Sequence, residues 1–170
     1  MTWASFIQLT LFSPFLGTGN GMMMIELSGE GYTNLTGVDY SEKGIELAQK
    51  IAKDTGHNIS FKVADLLTEK GIADLGQFRI CHDKGTYDAV SLMEGAKVKR
   101  ALYTKNVASL MEEDGLFIIT SCNFTEDELI TSFGGVFVKH ELIPTQVFRF
   151  GGKTGNVVTS IVFKKDKISA

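Results

Sequence analysis

Residues 17–41 read GTGNGMMMIELSGEGYTNLTGVDYS, and the fold turns on how this stretch is parsed. Gly17, Gly19 and Gly21 cluster at a strand-to-helix turn, and the apolar segment Met22 to Leu27 behind them reads as a helix. Leu35 to Asp39 is a short apolar strand closed by an acid twenty residues after Gly19, and Ser41 stands where it can N-cap the next helix. Turn, helix and strand at this spacing are the repeating unit of a parallel sheet covered by helices.

The alternation continues outward. After Ser41, Ile45, Leu47, Ala48, Ile51 and Ala52 recur at helical spacing until Gly56. Ile59 to Val63 is the next strand, followed by an acid at Asp65, and Phe78 to Cys81 is another, terminated by Asp83. Lys84 to Asp88 reads as a loop. Val98 to Met111 reads as a helix with Leu102, Val107 and Leu110 inward, ended by Asp114-Gly115. Leu116 to Ser121 is a near-continuous apolar run, as a strand buried on both faces requires. Thr125 and Glu128 match a capping box that opens a short helix through Phe133. Val136 to Leu142 and Val157 to Lys164 form a terminal antiparallel pair, joined by a connection over residues 143–156. The expected fold is α/β: Rossmann-like, doubly wound and mostly parallel, with helices on both faces.

A chain of 170 residues, 44% of them apolar, has enough material for one core. The net charge is -3, and Lys and Arg are scattered apart from Lys97, Lys99 and Arg100 and the tail Lys164, Lys165 and Lys167. That pattern argues against nucleic acid as a partner. Cys81 and Cys122 sit in strand-like runs without metal-ligand or redox-motif spacing, and His57, His82 and His140 are dispersed, so no metal site is expected. Residues 1–16, MTWASFIQLTLFSPFL, lack the basic start and cleavage pattern of a secretory leader and are too short and broken for a membrane span.

The glycine turn suits a nucleoside-containing ligand, because glycines admit a ligand close to the backbone and a helix N-terminus supplies free N–H groups. Asp39 is placed to accept the two hydroxyls of a ribose. A glycine cluster alone also marks plain loops. The dinucleotide fingerprint needs its third glycine at position 22, which is Met22, so nicotinamide and flavin cofactors are disfavoured. Gly152-Lys153-Thr154 lacks the first glycine of a phosphate loop, since position 147 is Val147. S-adenosylmethionine has no pyrophosphate, and its needs match Gly17 to Gly21, Asp39 and Asp65 in order.

Six segments carry a family resemblance: GTGNG (17–21), TGVDYS (36–41), VADLL (63–67), DKGTYDAVSL (83–92), GLFIITSCNFTEDEL (115–129) and FGGKTGNVV (150–158). The stretch from Gly17 to Phe163 resembles the seven-strand class I methyltransferases, and within them the group that methylates a lysine of translation elongation factor 1-alpha. The resemblance implies S-adenosylmethionine as methyl donor, held by Gly17, Thr18, Gly19, Asn20, Gly21, Asp39, Tyr40, Asp65, Leu66 and Asp83. It implies elongation factor 1-alpha as protein substrate and places Asp83 beside the methyl group and the incoming amine. Asp83 is expected to hold that amine and Tyr87 to shape the lysine channel as an aromatic wall; for Tyr87 and Asp88, capping a turn and packing a loop remain open. Phe148 and Phe150 are expected in the core. A monomer in the cytoplasm, with the nucleus as a second location, is expected.

The resemblance fails ahead of Gly17. The family pattern has an acid two residues before the first glycine, where this chain has Phe15, preceded by Pro14. Residues 1–16 are therefore assigned as an atypical segment replacing the usual first strand and lid, and residues 17–170 as the methyltransferase domain. Ile7, Leu9, Leu11 and Phe12 are the expected substitutes for the strand, with weaker cofactor binding and an alternative start as the corollaries. Two other functions stay open. One is a catalytically silent binding module, supported by Phe15; the other is a class I methyltransferase for a small molecule.

Overall fold

A computed structural model describes residues 13–145, 147–150, 153–156 and 158–167. In chain order the elements are β1 (Ser13–Leu16), α1 (Met22–Gly29), β2 (Leu35–Asp39), α2 (Glu42–Asp54), β3 (Ser60–Val63), α3 (Glu69–Ile72), β4 (Phe78–Lys84) and α4 (Thr86–Ser91). They continue with α5 (Ala96–Leu110), β5 (Met111–Ser121), α6 (Glu126–Phe133), β6 (Phe137–Ile143), β7 (Val147–Phe150), β8 (Lys153–Asn156) and β9 (Thr159–Lys165). A seven-stranded sheet runs β3-β2-β1-β4-β5-β9-β6. β9 lies antiparallel to both β5 and β6, while the remaining pairs are parallel. The reversed strand is the last in the chain but sits one place in from the sheet edge. The fold is the Rossmann-like, doubly wound sheet expected from the sequence.

Successive strand residues point to opposite faces, and β1 shows how the layers divide. Phe15 joins Met24 and Ile25 of α1 and Ile45, Ala48 and Ala52 of α2 on one face. Leu16 faces a larger core with Tyr87 and Val90 of α4, Tyr103, Val107 and Leu110 of α5, and Leu129 and Phe133 of α6. Helices therefore cover both faces. The larger core is aromatic: the Phe133 ring lies 5.4, 6.0 and 5.3 Å from those of Phe117, Phe137 and Phe163.

The first-strand slot is filled by Ser13–Leu16, Pro14 included; the expected substitutes Ile7 to Phe12 lie outside the described residues. β1 pairs with β2 along its whole length but with β4 only at Phe15 and Leu16, past the proline that offers no donor. The sheet accommodates Pro14 through this short pairing.

Other boundaries move for local reasons. Asp114-Gly115 does not end a helix, because α5 stops at Leu110 and β5 begins at Met111. The β4 register passes from Phe78↔Met111 to Ile80↔Leu116, so residues 112–115 bulge out. A side chain at Gly115 would meet the carbonyl oxygens of Glu112, Arg79 and Phe78 at 3.0 to 3.2 Å. The expected loop over Lys84 to Asp88 contains the start of α4, and the connection over 143–156 holds the β7–β8 hairpin. The side chains of Phe148 and Phe150 lie outside what is described. Among the described residues no helix is long and apolar enough to cross a membrane.

Candidate functional site

The strand order reverses between β1 and β4, and the crevice at the carboxyl ends of those strands is where a doubly wound sheet receives a ligand. The glycine turn lies there. Gly17, Gly19 and Gly21 have φ of 75°, 54° and 74°, a left-handed region that side chains rarely adopt. Gly17 N–H and Thr18 N–H donate to Val38 O at 2.8 and 2.9 Å, which docks the turn on β2. Gly19 N–H donates to Asp39 Oδ2 at 2.9 Å, and Ser41 N–H donates to Asp39 Oδ1 at 2.9 Å. The bend and the acid twenty residues onward thus line one crevice.

The turn is open on its outer side. A Cβ at Gly19 would meet no atom within 4 Å, whereas one at Gly17 would fall 1.9 Å from Thr86 Oγ1. The middle glycine is free to approach a ligand, while the first is glycine because α4 stands against it. Gly21 caps α1 without any side-chain bond. Asn20 Oδ1 accepts from Met22 N–H at 3.3 Å, and Thr18 Oγ1 lies 3.0 Å from Met24 Sδ.

The second acid is brought alongside by the sheet. Ala64 N–H donates to Asp39 O at 2.9 Å, so the end of β3 follows the end of β2 into the crevice. Asp65 is exposed, its Oδ1 accepting from Leu67 N–H at 2.9 Å, and Leu66 is buried. Asn106, buried on α5, donates from Nδ2 to Leu66 O at 2.8 Å and fixes the backbone there. Tyr40 leaves 77% of its surface exposed next to Asp39. Asp39, Tyr40, Asp65 and the turn are therefore grouped at one end of the sheet.

Asp83 and Tyr87 are placed differently from the expectation. Asp83 is fully buried, and its carboxylate accepts from Thr86 N–H at 2.8 Å, from Tyr87 N–H at 2.9 Å and from the Tyr103 hydroxyl. Burial, above all, pushes its pKa up to about 7, against the pull of those three donors. Tyr87 is 1% exposed, its ring 4.7 Å from Phe133 and 5.7 Å from Tyr103. Neither presents itself to open space: Asp83 lies near the end of β4 and holds the first two N–H groups of α4, and Tyr87 is core. Asp88, 7% exposed, accepts from Ser121 Oγ at 2.5 Å and from Cys122 N–H at 2.8 Å. Ser121 Oγ in turn accepts from Asn123 N–H and Phe124 N–H at 3.1 and 3.0 Å, so Asp88 holds the loop after β5.

Beside that loop lies a cavity of about 510 Å³, lined by residues 121–126, 142–145 and 158–160. It opens at the carboxyl ends of β5 and β6, next to the glycine turn's end of the sheet. Sequence reasoning missed Thr86, Tyr103, Asn106 and Ser121. Only Thr86 and Ser121 carried a signal, since both fall in the family-like segments, and partners 20 to 70 positions away are invisible to periodicity. Among the described residues no group of acids, cysteines and histidines could hold a metal ion.

A profile for the family described as "Methyltransferase domain" matches residues 16–152. A mouse protein named EEF1A lysine methyltransferase 2 is 44% identical over 161 residues, covering 91% of this chain and 65% of that protein. A budding-yeast protein named Protein-lysine N-methyltransferase EFM4 is 42% identical over 159 residues, covering 88% and 68%. The chain thus spans somewhat less than two-thirds of the mouse relative's length. Among solved structures, a SAM-dependent methyltransferase from Methanosarcina mazei superposes with a TM-score of 0.71 at 15% identity, covering 95% of both chains. Magnesium protoporphyrin IX methyltransferase from Synechocystis, solved with bound SAM, gives 0.65 at 18% identity over 94% of this chain and 72% of that one. At such identities the two structures share its fold.

Proposed function

The chain belongs to the methyltransferase-domain family, and from that premise we propose that it transfers a methyl group from S-adenosylmethionine to a lysine side chain of elongation factor 1A. The names of the mouse and yeast relatives support the acceptor. The observation that carries the donor is the 2.9 Å contact between Gly19 N–H and Asp39 Oδ2, which puts an open glycine turn and a ribose-type acid on one crevice.

The residues present fit that donor. An unobstructed Gly19 lets the methionine part lie against the backbone, Asp39 offers lone pairs to ribose hydroxyls, and exposed Asp65 stands within the same crevice as an acceptor for the adenine amine. S-adenosylmethionine, when bound, supplies a methyl group on a positively charged sulfur that a neutral amine can displace in line. The protein's task is then alignment and exclusion of water. The loop over Ser121 to Phe124 and the adjoining cavity give the acceptor its approach, and Asp83 acts from behind as a positioning residue that fixes the start of α4.

A second reading rests on Phe15. It is buried against His82, with ring centroids 4.9 Å apart, where the family pattern carries an acid, and this favours a sheet retained without a competent donor site. Calorimetric titration of the chain with S-adenosylmethionine, with Asp39→Ala as control, separates the two. Saturable binding that the control loses is expected; no binding to the unaltered chain supports the silent module. Transfer of labelled methyl into a cell extract is then expected to mark one protein of the elongation factor's mass.

A further inference from the structure

α4 touches both sides of the crevice at once. At its first residue, Thr86 Oγ1 donates to Leu16 O at 2.7 Å, the carbonyl immediately before Gly17. The same hydroxyl occupies the space a Gly17 side chain would need. Two residues on, Asp88 receives Ser121 Oγ and Cys122 N–H, and so sets the loop that lines the cavity. Between them Tyr87 is locked in the aromatic core, and Asp83 anchors the N-terminus of the helix through two backbone N–H groups. Each end of the helix thus makes its own contact, Thr86 with the strand that leads into the glycine turn and Asp88 with the loop after β5.

We infer that α4 is a two-ended brace, in which Thr86 positions the glycine turn for the donor and Asp88 positions the Ser121–Phe124 loop for the acceptor. Both are positioning residues, since neither bond is made to a reacting group. The Thr86 half rests on the donor assignment proposed above; the Asp88 half does not.

The two ends are separable by experiment. Thr86→Val deletes the hydroxyl at nearly constant volume, Thr86→Ser keeps it, and Asp88→Asn removes the charge that holds the loop. S-adenosylmethionine titration reads the first end. Maleimide labelling of Cys122 in the absence of any ligand reads the second, because Cys122 is exposed while Cys81 is buried with its thiol pKa pushed up by that burial. T86V is expected to weaken binding about tenfold and T86S to stay within about twofold of the unaltered chain, both with Cys122 labelling within about twofold. D88N is expected to accelerate labelling about fivefold with binding within about threefold.

Failure of the unaltered chain to bind counts against the donor assignment and takes the Thr86 half with it. Unaltered-chain binding with T86V unimpaired, or T86S as impaired as T86V, overturns the Thr86 half alone. Unchanged labelling in D88N overturns the other half. Weakened binding together with accelerated labelling, to a similar degree from either variant, points to general loosening and overturns the brace. Should T86V lack a cooperative melt, Thr86→Ala replaces it, and a tenfold loss in T86S by itself refutes the hydroxyl's role.

Discussion

Asp83 and His82 are neighbours on β4 that face opposite sides of the sheet, and burial moves their ionisation in opposite directions. Asp83 is pushed up to about 7, whereas burial, helped by the charge of Lys84, brings His82 down to about 4. The folded chain therefore keeps a proton on Asp83 that the unfolded chain releases above its ordinary value of 3.8; this stability is full below that value and is lost as pH rises through about 7. For His82 the unfolded chain takes up a proton that the folded chain refuses, so stability is lost as pH falls from 6.5 toward about 4. Within that shared window each slope is limited to about 1.4 kcal/mol per pH unit, and the two oppose. Urea melts across the window should show Asp83→Asn gaining stability with rising pH and His82→Leu losing it, while the unaltered chain stays between them. A D83N slope of the opposite sign would refute the assignment. Asp39 makes the other residue-scale prediction: Asp39→Ala removes the acceptor for Gly19 and Ser41 N–H groups and should cost at least about tenfold in S-adenosylmethionine affinity, measured calorimetrically.

At the scale of elements, α6 begins as its sequence says it must. Thr125 Oγ1 accepts from Glu128 N–H at 3.4 Å and Glu128 Oε2 accepts from Thr125 N–H at 2.8 Å, a complete capping box. Thr125→Ala should lower stability by about 1 kcal/mol in a urea melt, and no loss would show the box to be dispensable. β2 is constrained differently. A side chain at Gly37 would stand 2.7 Å from the Phe61 ring and 2.8 Å from Met24 Sδ, so Gly37→Ala should cost about 1–3 kcal/mol by overpacking α1 against the sheet. Capping boxes and apolar periods were legible because both ends of each interaction lie within a few residues. The β5 bulge and the entry of Pro14 into the first strand were not, because each depends on a partner strand whose register no local pattern fixes.

Across the whole molecule, the rings of Phe117, Phe133, Phe137 and Phe163 bring together β5, α6, β6 and β9, with the β7–β8 hairpin intervening in the chain before β9. Phe133 is fully buried among them, and Phe133→Ala should cost about 3–5 kcal/mol, with the urea midpoint as readout. A much smaller loss would mean the core collapses onto the gap. The sequence alone determined the alternating architecture, the glycine turn and the acids Asp39 and Asp65, since these depend on residue type at short or fixed spacing and on strands ending where a ligand crevice must be. Only the tertiary structure decided that Asp83 and Tyr87 face inward, that Thr86 and Asp88 meet the glycine turn and the β5 loop, and that β9 lies between β5 and β6. Whether a side chain reaches open space or a neighbour depends on which strands become adjacent, and adjacency is settled by packing of the entire sheet.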